Sequence, residues 1–359
     1  MTPASGRSAS AGYTLRLVRR LIRLCATLIL MGPAVLGAQP PANAAARVAR
    51  GKYLANGIAR CFGCHSPLDT GDPAVPIPAR LGSGDVLDEK LPINAPNLTS
   101  DRETGLGRWT DAQIVRAIRE GIGRDGLRVL SMHPSPYYSV MTDADAESIV
   151  AYLRTLRPIR RALAPSAPPG RQHETVQPAV KPLRPGSAVS AIERGAYLVQ
   201  LGECAGCHTP ARADGSPVRD LLFGGGRRFT VEKGYGVEVS SFDLTFQSAV
   251  EANRAPTKGR VVASANLTSD PSGISYYTES IFIQTIRTGK VGGVRALSAA
   301  MPWIFFRTMT DADLRDVFAY LRSVPPVRHR LNNTDPPTWC ALCGRRHGLG
   351  EMNAARPAR

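Results

Sequence analysis

Six of the chain's seven cysteines fall into three Cys-x-x-Cys pairs, and two of those pairs are followed directly by histidine. The first runs Cys61-Phe62-Gly63-Cys64-His65 and the second Cys204-Ala205-Gly206-Cys207-His208. The third, Cys340-Ala341-Leu342-Cys343, has Gly344 where the histidine would stand. Thiols three positions apart share one face of a helical turn, and the next residue projects beside them. Each of the first two motifs therefore presents two sulfurs and an imidazole to one rigid group.

Cys-x-x-Cys-His is the attachment pattern of c-type haem. The thiols reach the two vinyl groups of one porphyrin, and the imidazole becomes the proximal iron ligand. A single copy would also suit a redox dithiol or half of a zinc site. Two copies behind matching lead-ins, Arg50-Gly51-Lys52-Tyr53-Leu54 and Arg194-Gly195-Ala196-Tyr197-Leu198, point to haem instead. His65 and His208 are then the proximal ligands.

The likeness extends beyond the cysteines, so the chain reads as two copies of one unit. Asn97-Leu98-Thr99-Ser100-Asp101 recurs as Asn266-Leu267-Thr268-Ser269-Asp270, and Ile118-Arg119-Glu120-Gly121 as Ile286-Arg287-Thr288-Gly289. The copies close on Met141-Thr142-Asp143 with Ala151-Tyr152-Leu153-Arg154, and on Met309-Thr310-Asp311 with Ala319-Tyr320-Leu321-Arg322. Each Thr-Asp precedes an apolar helical pattern and suits an N-cap, which starts the last helices near Asp143 and Asp311, while Pro158 and Pro325 stop them. Gly51 and Gly195 allow close helix contact that Tyr152 and Tyr320 fill. With 34 glycines and 29 prolines, short helices and much loop are expected, a mainly α fold.

The loop before each last helix should cross the open face of the haem. Met301-Pro302-Trp303 offers a thioether stiffened by proline beside an aromatic, and Met132 takes the matching place in the first copy, where His133 stands in place of the proline and competes as ligand. A thioether raises the iron potential, whereas a second imidazole lowers it. Met141 and Met309, beside helix caps, read as packing. Arg119 and Arg287 are candidates to neutralise haem propionates.

These residues carry a resemblance. The chain resembles the dihaem cytochrome c subunits that serve periplasmic dehydrogenases of the molybdopterin, flavin and quinoprotein types, over roughly residues 46–160 and 190–327. The resemblance implies two tandem class I cytochrome c-like helical domains (45–160 and 190–327) joined by a Pro-rich linker (161–189). It implies two covalently bound haems c, with Cys61, Cys64, His65 and Met132 serving one and Cys204, Cys207, His208 and Met301 the other. It also implies an electron carrier without catalysis of its own, taking electrons from a dehydrogenase and passing them to an oxidase, a quinone site or a small cytochrome. The trihaem members of that family carry a third Cys-x-x-Cys-His, which this chain lacks. A peroxidase-like dihaem enzyme with one accessible iron is the competing reading.

The flanking segments bear on location. Residues 1–44 hold Arg7, Arg16, Arg19, Arg20 and Arg23, no acid, and an apolar run from Leu24 to Ala38. That is the order of a secretory signal, with cleavage expected after Ala44 or alternatively Ala38. Pro33 interrupts the run, which is shorter than the roughly 20 residues that span a bilayer. Export to the periplasm follows, with association at the inner membrane surface in reach of a basic protein. Loss of the five arginines lowers the formal charge from +16 to +11. No Lys/Arg run marks nucleic-acid binding.

Between Cys64 and Met132 lie 68 positions and between Cys207 and Met301 94. The second copy thus carries an insertion, at about 223–263, read as a hairpin, a partner contact or a surface loop. In the tail, 328–359, Cys340 and Cys343 suit a disulfide, or zinc with His347.

Overall fold

The tightest helix crossings occur at glycines that the repeat shares. In the computed structural model, helix α1 (Ala44–Asn56) crosses α5 (Asp143–Leu153), and a Cβ built on Gly51 would lie 1.8 Å from the Ser148 carbonyl oxygen. Helix α6 (Ala191–Leu201) crosses α10 (Asp311–Ser323) in the same way, with Gly195 placing a Cβ 1.9 Å from the Asp316 carbonyl oxygen. Real Cβ atoms do not approach so closely, so only glycine permits either crossing.

The structure describes residues 44–69, 75–88, 93–129, 133–164, 180, 183, 188–212, 215–234, 237–240, 260–292, 295–298, 300–329, 331, 338–340 and 345–347. Over these the fold is mainly helical. The remaining helices are α2 (Cys61–Cys64), α3 (Asp111–Glu120) and α4 (Ser135–Tyr138) in the first copy, and α7 (Cys204–His208), α8 (Glu279–Thr288) and α9 (Trp303–Phe306) in the second. Small antiparallel pairs decorate them: β1 (Asp85–Asp88) with β2 (Ile93–Ala95), β6 (Lys290–Val291) with β7 (Arg295–Ala296), and β8 (Thr338–Cys340) with β9 (Arg345–His347). In the insertion β3 (Arg228–Gly234) pairs with β4 (Val237–Ser240) as a hairpin and on its other edge with β5 (Arg260–Ala263). The chain divides between Ala44 and Ala45, and everything from Ala45 onward forms one compact unit holding both copies.

The caps behave as their residue types require. Thr110, Thr142, Ser190, Thr278 and Thr310 each accept a hydrogen bond from the backbone N–H three residues on, satisfying a donor that the helix leaves orphaned. The last helices begin at Asp143 and Asp311, as the Thr-Asp signal predicts. Helix α10 runs to Ser323, close to Pro325, but α5 ends at Leu153, short of Pro158. Arg119 and Arg287 do not stand free for a ligand: they pair with Asp143 at 2.5 Å and Asp311 at 2.6 Å, tying the third helix of each copy to the start of the last.

One core position is filled from two different places in the chain. In the first copy Phe62, inside the cysteine motif, packs edge-on against Tyr152 at 6.0 Å. In the second copy that motif position is Ala205, and Phe223 packs edge-on against Tyr320 at 6.2 Å. Phe223 corresponds to Gly82, since the N–H of each binds the hydroxyl just after a haem-motif histidine, Ser66 for Gly82 and Thr209 for Phe223. Both positions have positive φ, 76° for Gly82 and 60° for Phe223. Gly82 has no room for a side chain, because a Cβ there would lie 3.3 Å from the Phe62 ring and 2.9 Å from Leu156. The second copy accepts a strained phenylalanine backbone in return for filling the space that Ala205 leaves.

Gly195→Ala should cost about 3 kcal/mol or more, since backbone and not a flexible side chain blocks the new methyl. Denaturant unfolding of the variant measures it, and a change under about 0.5 kcal/mol would show that the crossing relaxes freely.

Candidate functional site

Each cysteine helix is launched from a residue in left-handed conformation. Arg60 (φ 49°) precedes Cys61 and Glu203 (φ 57°) precedes Cys204, and neither is glycine. This conformation costs about 1–2 kcal/mol for a residue with a Cβ, so the surrounding contacts must hold it. It turns the chain sharply out of the preceding segment and into the helical turn that aligns the two thiols with the imidazole.

All four motif cysteines are free thiols, and none is joined to its partner. Burial pushes Cys61 and Cys204 up to about 12 and raises Cys64 and Cys207 as well. A raised thiol pKa is the reverse of the lowered one that a redox dithiol needs. Burial also lowers the pKa of both histidines, outweighing the carbonyl contacts that raise it, and so favours the neutral imidazole.

The tautomer is set by one hydrogen bond in each copy. His65 Nδ1 lies 2.7 Å from the Pro96 carbonyl oxygen, and His208 Nδ1 lies 2.7 Å from the Ala265 carbonyl oxygen. A carbonyl only accepts, so Nδ1 carries the proton and the Nε2 lone pair is left for a metal. Pro96 and Ala265 are the residues immediately before the two Asn-Leu-Thr runs. The motif visible in the sequence without an assigned role is therefore the mount for the imidazole.

That mount is built by the asparagines. Asn97 Oδ1 accepts from Thr99 N–H at 2.9 Å and from its hydroxyl at 2.7 Å, while Asn97 Nδ2 donates to the Ile159 carbonyl at 2.7 Å. Asn266 makes the same contacts with Thr268 at 2.9 and 2.8 Å and with the Val327 carbonyl at 2.8 Å. Both asparagines are buried. Each thus fastens the turn beside the histidine to the irregular segment that follows the last helix. Residue type, orientation and free thiols together fit a covalently attached haem at each motif.

On the opposite side the two copies differ. From Thr110 and Thr278 to Leu153 and Leu321 the copies run at a constant spacing of 168 residues, with shared caps at Gly121 and Gly289 and shared Met141 and Met309. Pro134 caps α4 as Pro302 caps α9. In this ungapped register His133 stands opposite Met301, and Pro134 opposite Pro302, so the histidine does not replace the proline. Met132 corresponds to Ala300 and lies outside the described residues. Met301 packs against the core, while Trp303 closes over Gly289 at the end of α8 and meets Arg307 at 5.8 Å. Of the tail, Arg328, His329, Leu331 and the β8–β9 pair are described, and Cys343 lies outside them.

The two motifs face each other across reciprocal contacts. Arg60 Nη2 pairs with Glu203 Oε1 at 2.7 Å, both side chains largely buried. Tyr53 donates to Asp313 at 2.5 Å and accepts from Thr310 N–H at 3.0 Å; Tyr197 donates to Asp145 at 2.8 Å and accepts from Thr142 N–H at 3.4 Å. Each tyrosine of a first helix thereby reaches the cap of the other copy's last helix. Arg50 and Arg194 complete the sets by pairing with Asp145 and Asp313. Gly63 lies against Phe305 and Gly206 against Tyr137, so the α9 and α4 loops each touch the other copy's cysteine turn.

A family model described as cytochrome c matches residues 48–157. Over that segment the chain carries a cytochrome c domain. It is 25% identical over 329 residues to the cytochrome c subunit of a quinone alcohol dehydrogenase from Gluconobacter oxydans, covering 86% of this chain and 61% of that protein. To the fructose dehydrogenase cytochrome subunit of Gluconobacter japonicus it is 27% identical over 83% of this chain and 58% of that one. It is also 28% identical to a dihaem c-type cytochrome of Cereibacter sphaeroides, over 46% of this chain and 58% of that one. The chain thus spans about three fifths of the length of these relatives.

Removing one member of the buried pair should be costly and removing both less so. Glu203→Leu, which strands the Arg60 charge, is expected to lose about 3–5 kcal/mol. Arg60→Met with Glu203→Leu should lose clearly less than the two single variants summed. Equal additivity in unfolding experiments would mean that the two side chains do not interact.

Proposed function

We propose that this cytochrome c is an exported electron carrier with two covalently bound haems c, one on each copy of the repeat. Cys61 and Cys64 hold the first with His65 as proximal ligand, and Cys204 and Cys207 hold the second with His208. Met301 is the distal ligand of the second, and the first takes Met132 or His133. The observation that carries this reading is the pair of matched imidazoles, each turned by a backbone carbonyl at 2.7 Å so that Nε2 is free.

The bound haems supply one-electron chemistry at iron. The protein's own part is to keep both axial positions filled and both imidazoles fixed, so that a change of oxidation state moves few atoms. Asn97 and Asn266 hold the proximal side. The Pro134 and Pro302 loops close the distal side. Packing of the two cysteine turns against each other, through Arg60 and Glu203, keeps the two sites close together.

The donor is a dehydrogenase subunit in the periplasm, as the names of the alcohol and fructose dehydrogenase relatives support. The acceptor is an oxidase, a quinone site or a small cytochrome. Among the described residues no helix is long and apolar enough to cross a membrane. A basic surface then provides for contact with an acidic partner or the anionic inner-membrane face.

A carrier with both axial positions occupied should bind carbon monoxide slowly or not at all when reduced, and should not turn over peroxide. Stopped-flow mixing of the reduced holoprotein with carbon monoxide, together with a peroxidase assay, checks this. Fast binding at one iron with peroxide consumption would replace the carrier reading by an enzyme with an open iron.

A further inference from the structure

The ungapped register between the copies bears on the distal ligand of the first haem. The loop that supplies it is fixed at both ends by equivalent structure. Gly121 and Gly289 end α3 and α8 in left-handed conformation, at φ 68° and 65°, and Pro134 and Pro302 begin α4 and α9. Between these anchors both copies have the same number of residues. The position just before the proline therefore has the same place in the count from both anchors in each copy. In the second copy it carries Met301, in the first His133.

Two contacts bring His133 to the first motif. Its ring packs edge-on against Tyr138 at 6.4 Å, and the Tyr138 hydroxyl donates to the Ala59 carbonyl at 2.6 Å, two residues before Cys61. His133 and His65 are also near enough to interact electrostatically. An imidazole held by the wall of the first cysteine turn, within range of the proximal histidine, is placed as its counterpart across an iron. Ser135 N–H donates to His133 Nδ1 at 3.2 Å, a long contact that ligation through Nε2 releases when Nδ1 takes the proton.

We propose that His133 and not Met132 is the distal ligand of the first haem, which then has two imidazole ligands while the second has an imidazole and a thioether. This rests on the reading that both motifs hold haem. The consequence is an ordered pair: an imidazole stabilises oxidised iron relative to a thioether, so the first site takes the lower potential of the two. The sequence difference at one loop position thereby divides two otherwise similar sites into a more reducing and a more oxidising one.

The test uses holoprotein with haem attached in an exporting bacterial host, examined by optical redox titration and by the thioether-to-iron charge-transfer band of the oxidised form. Wild type should show two separated potentials and one equivalent of that band per chain. Met301→Ala should abolish the band, and Met132→Ala should leave the band and both potentials unchanged. His133→Met should double the band and raise the lower potential; if it does not fold, the Met132→Ala result still decides. A wild-type band of two equivalents, halved by Met132→Ala, would overturn the proposal. Failure of the underlying reading looks different: Cys61→Ala with Cys64→Ala would leave the haem content per chain unchanged.

Discussion

The hydrogen bond from each Cys-x-x-Cys-His imidazole to a backbone carbonyl is the contact on which the rest of the arrangement depends. A histidine after two cysteines presents a metal-binding nitrogen only if its ring is turned and its proton placed on the other nitrogen. Here both requirements are met by one acceptor at 2.7 Å in each copy. The acceptor is in turn held by a buried asparagine that reaches the irregular segment beyond the last helix. That segment follows α5 and α10, and those helices are placed by their crossings at Gly51 and Gly195. The position of a ring nitrogen is thus traceable through a turn, a latch and a helix contact to two glycines near the start of each copy.

The second level of organisation is the exchange of contacts between copies. Tyr53 and Tyr197 each cross to the other copy's helix cap, and Arg60 and Glu203 meet between the cysteine turns. Groups so buried cost desolvation, and a salt bridge in that setting adds little net stability compared with an apolar pair of the same shape. Its effect is on geometry. Arg60 and Glu203 both sit in the strained conformation that starts a cysteine helix, and the ion pair holds the two strained residues against each other. Strain of this kind persists where neighbouring contacts over-determine it.

Much of this was legible in the sequence. The cysteine motifs, the repeat, the helix starts at Asp143 and Asp311 and the roles of Gly51 and Gly195 follow from local patterns with a direct physical meaning. What was not legible depends on contacts distant in the chain. The Asn-Leu-Thr runs look like loop structure until the carbonyl before them is seen against the histidine. The exchange of Phe62 for Phe223 cannot be read from either motif alone, because the space they fill belongs to Tyr152 and Tyr320. Arg119 and Arg287, exposed on a helical pattern, turn out to be paired with the first residue of the next helix. The distal loop was read from the position of its methionine, whereas the proline caps and the constant spacing of the copies put His133 in register with Met301. Met132 itself, with much of the Pro-rich segment and the tail, lies outside the described residues.

Covalent haem on both motifs would be visible in the intact mass of the denatured holoprotein. The polypeptide should be heavier by two haem groups, falling to one when either Cys61 and Cys64 or Cys204 and Cys207 are changed to alanine. A mass with one haem or none, or two haems that dissociate on denaturation, would contradict it.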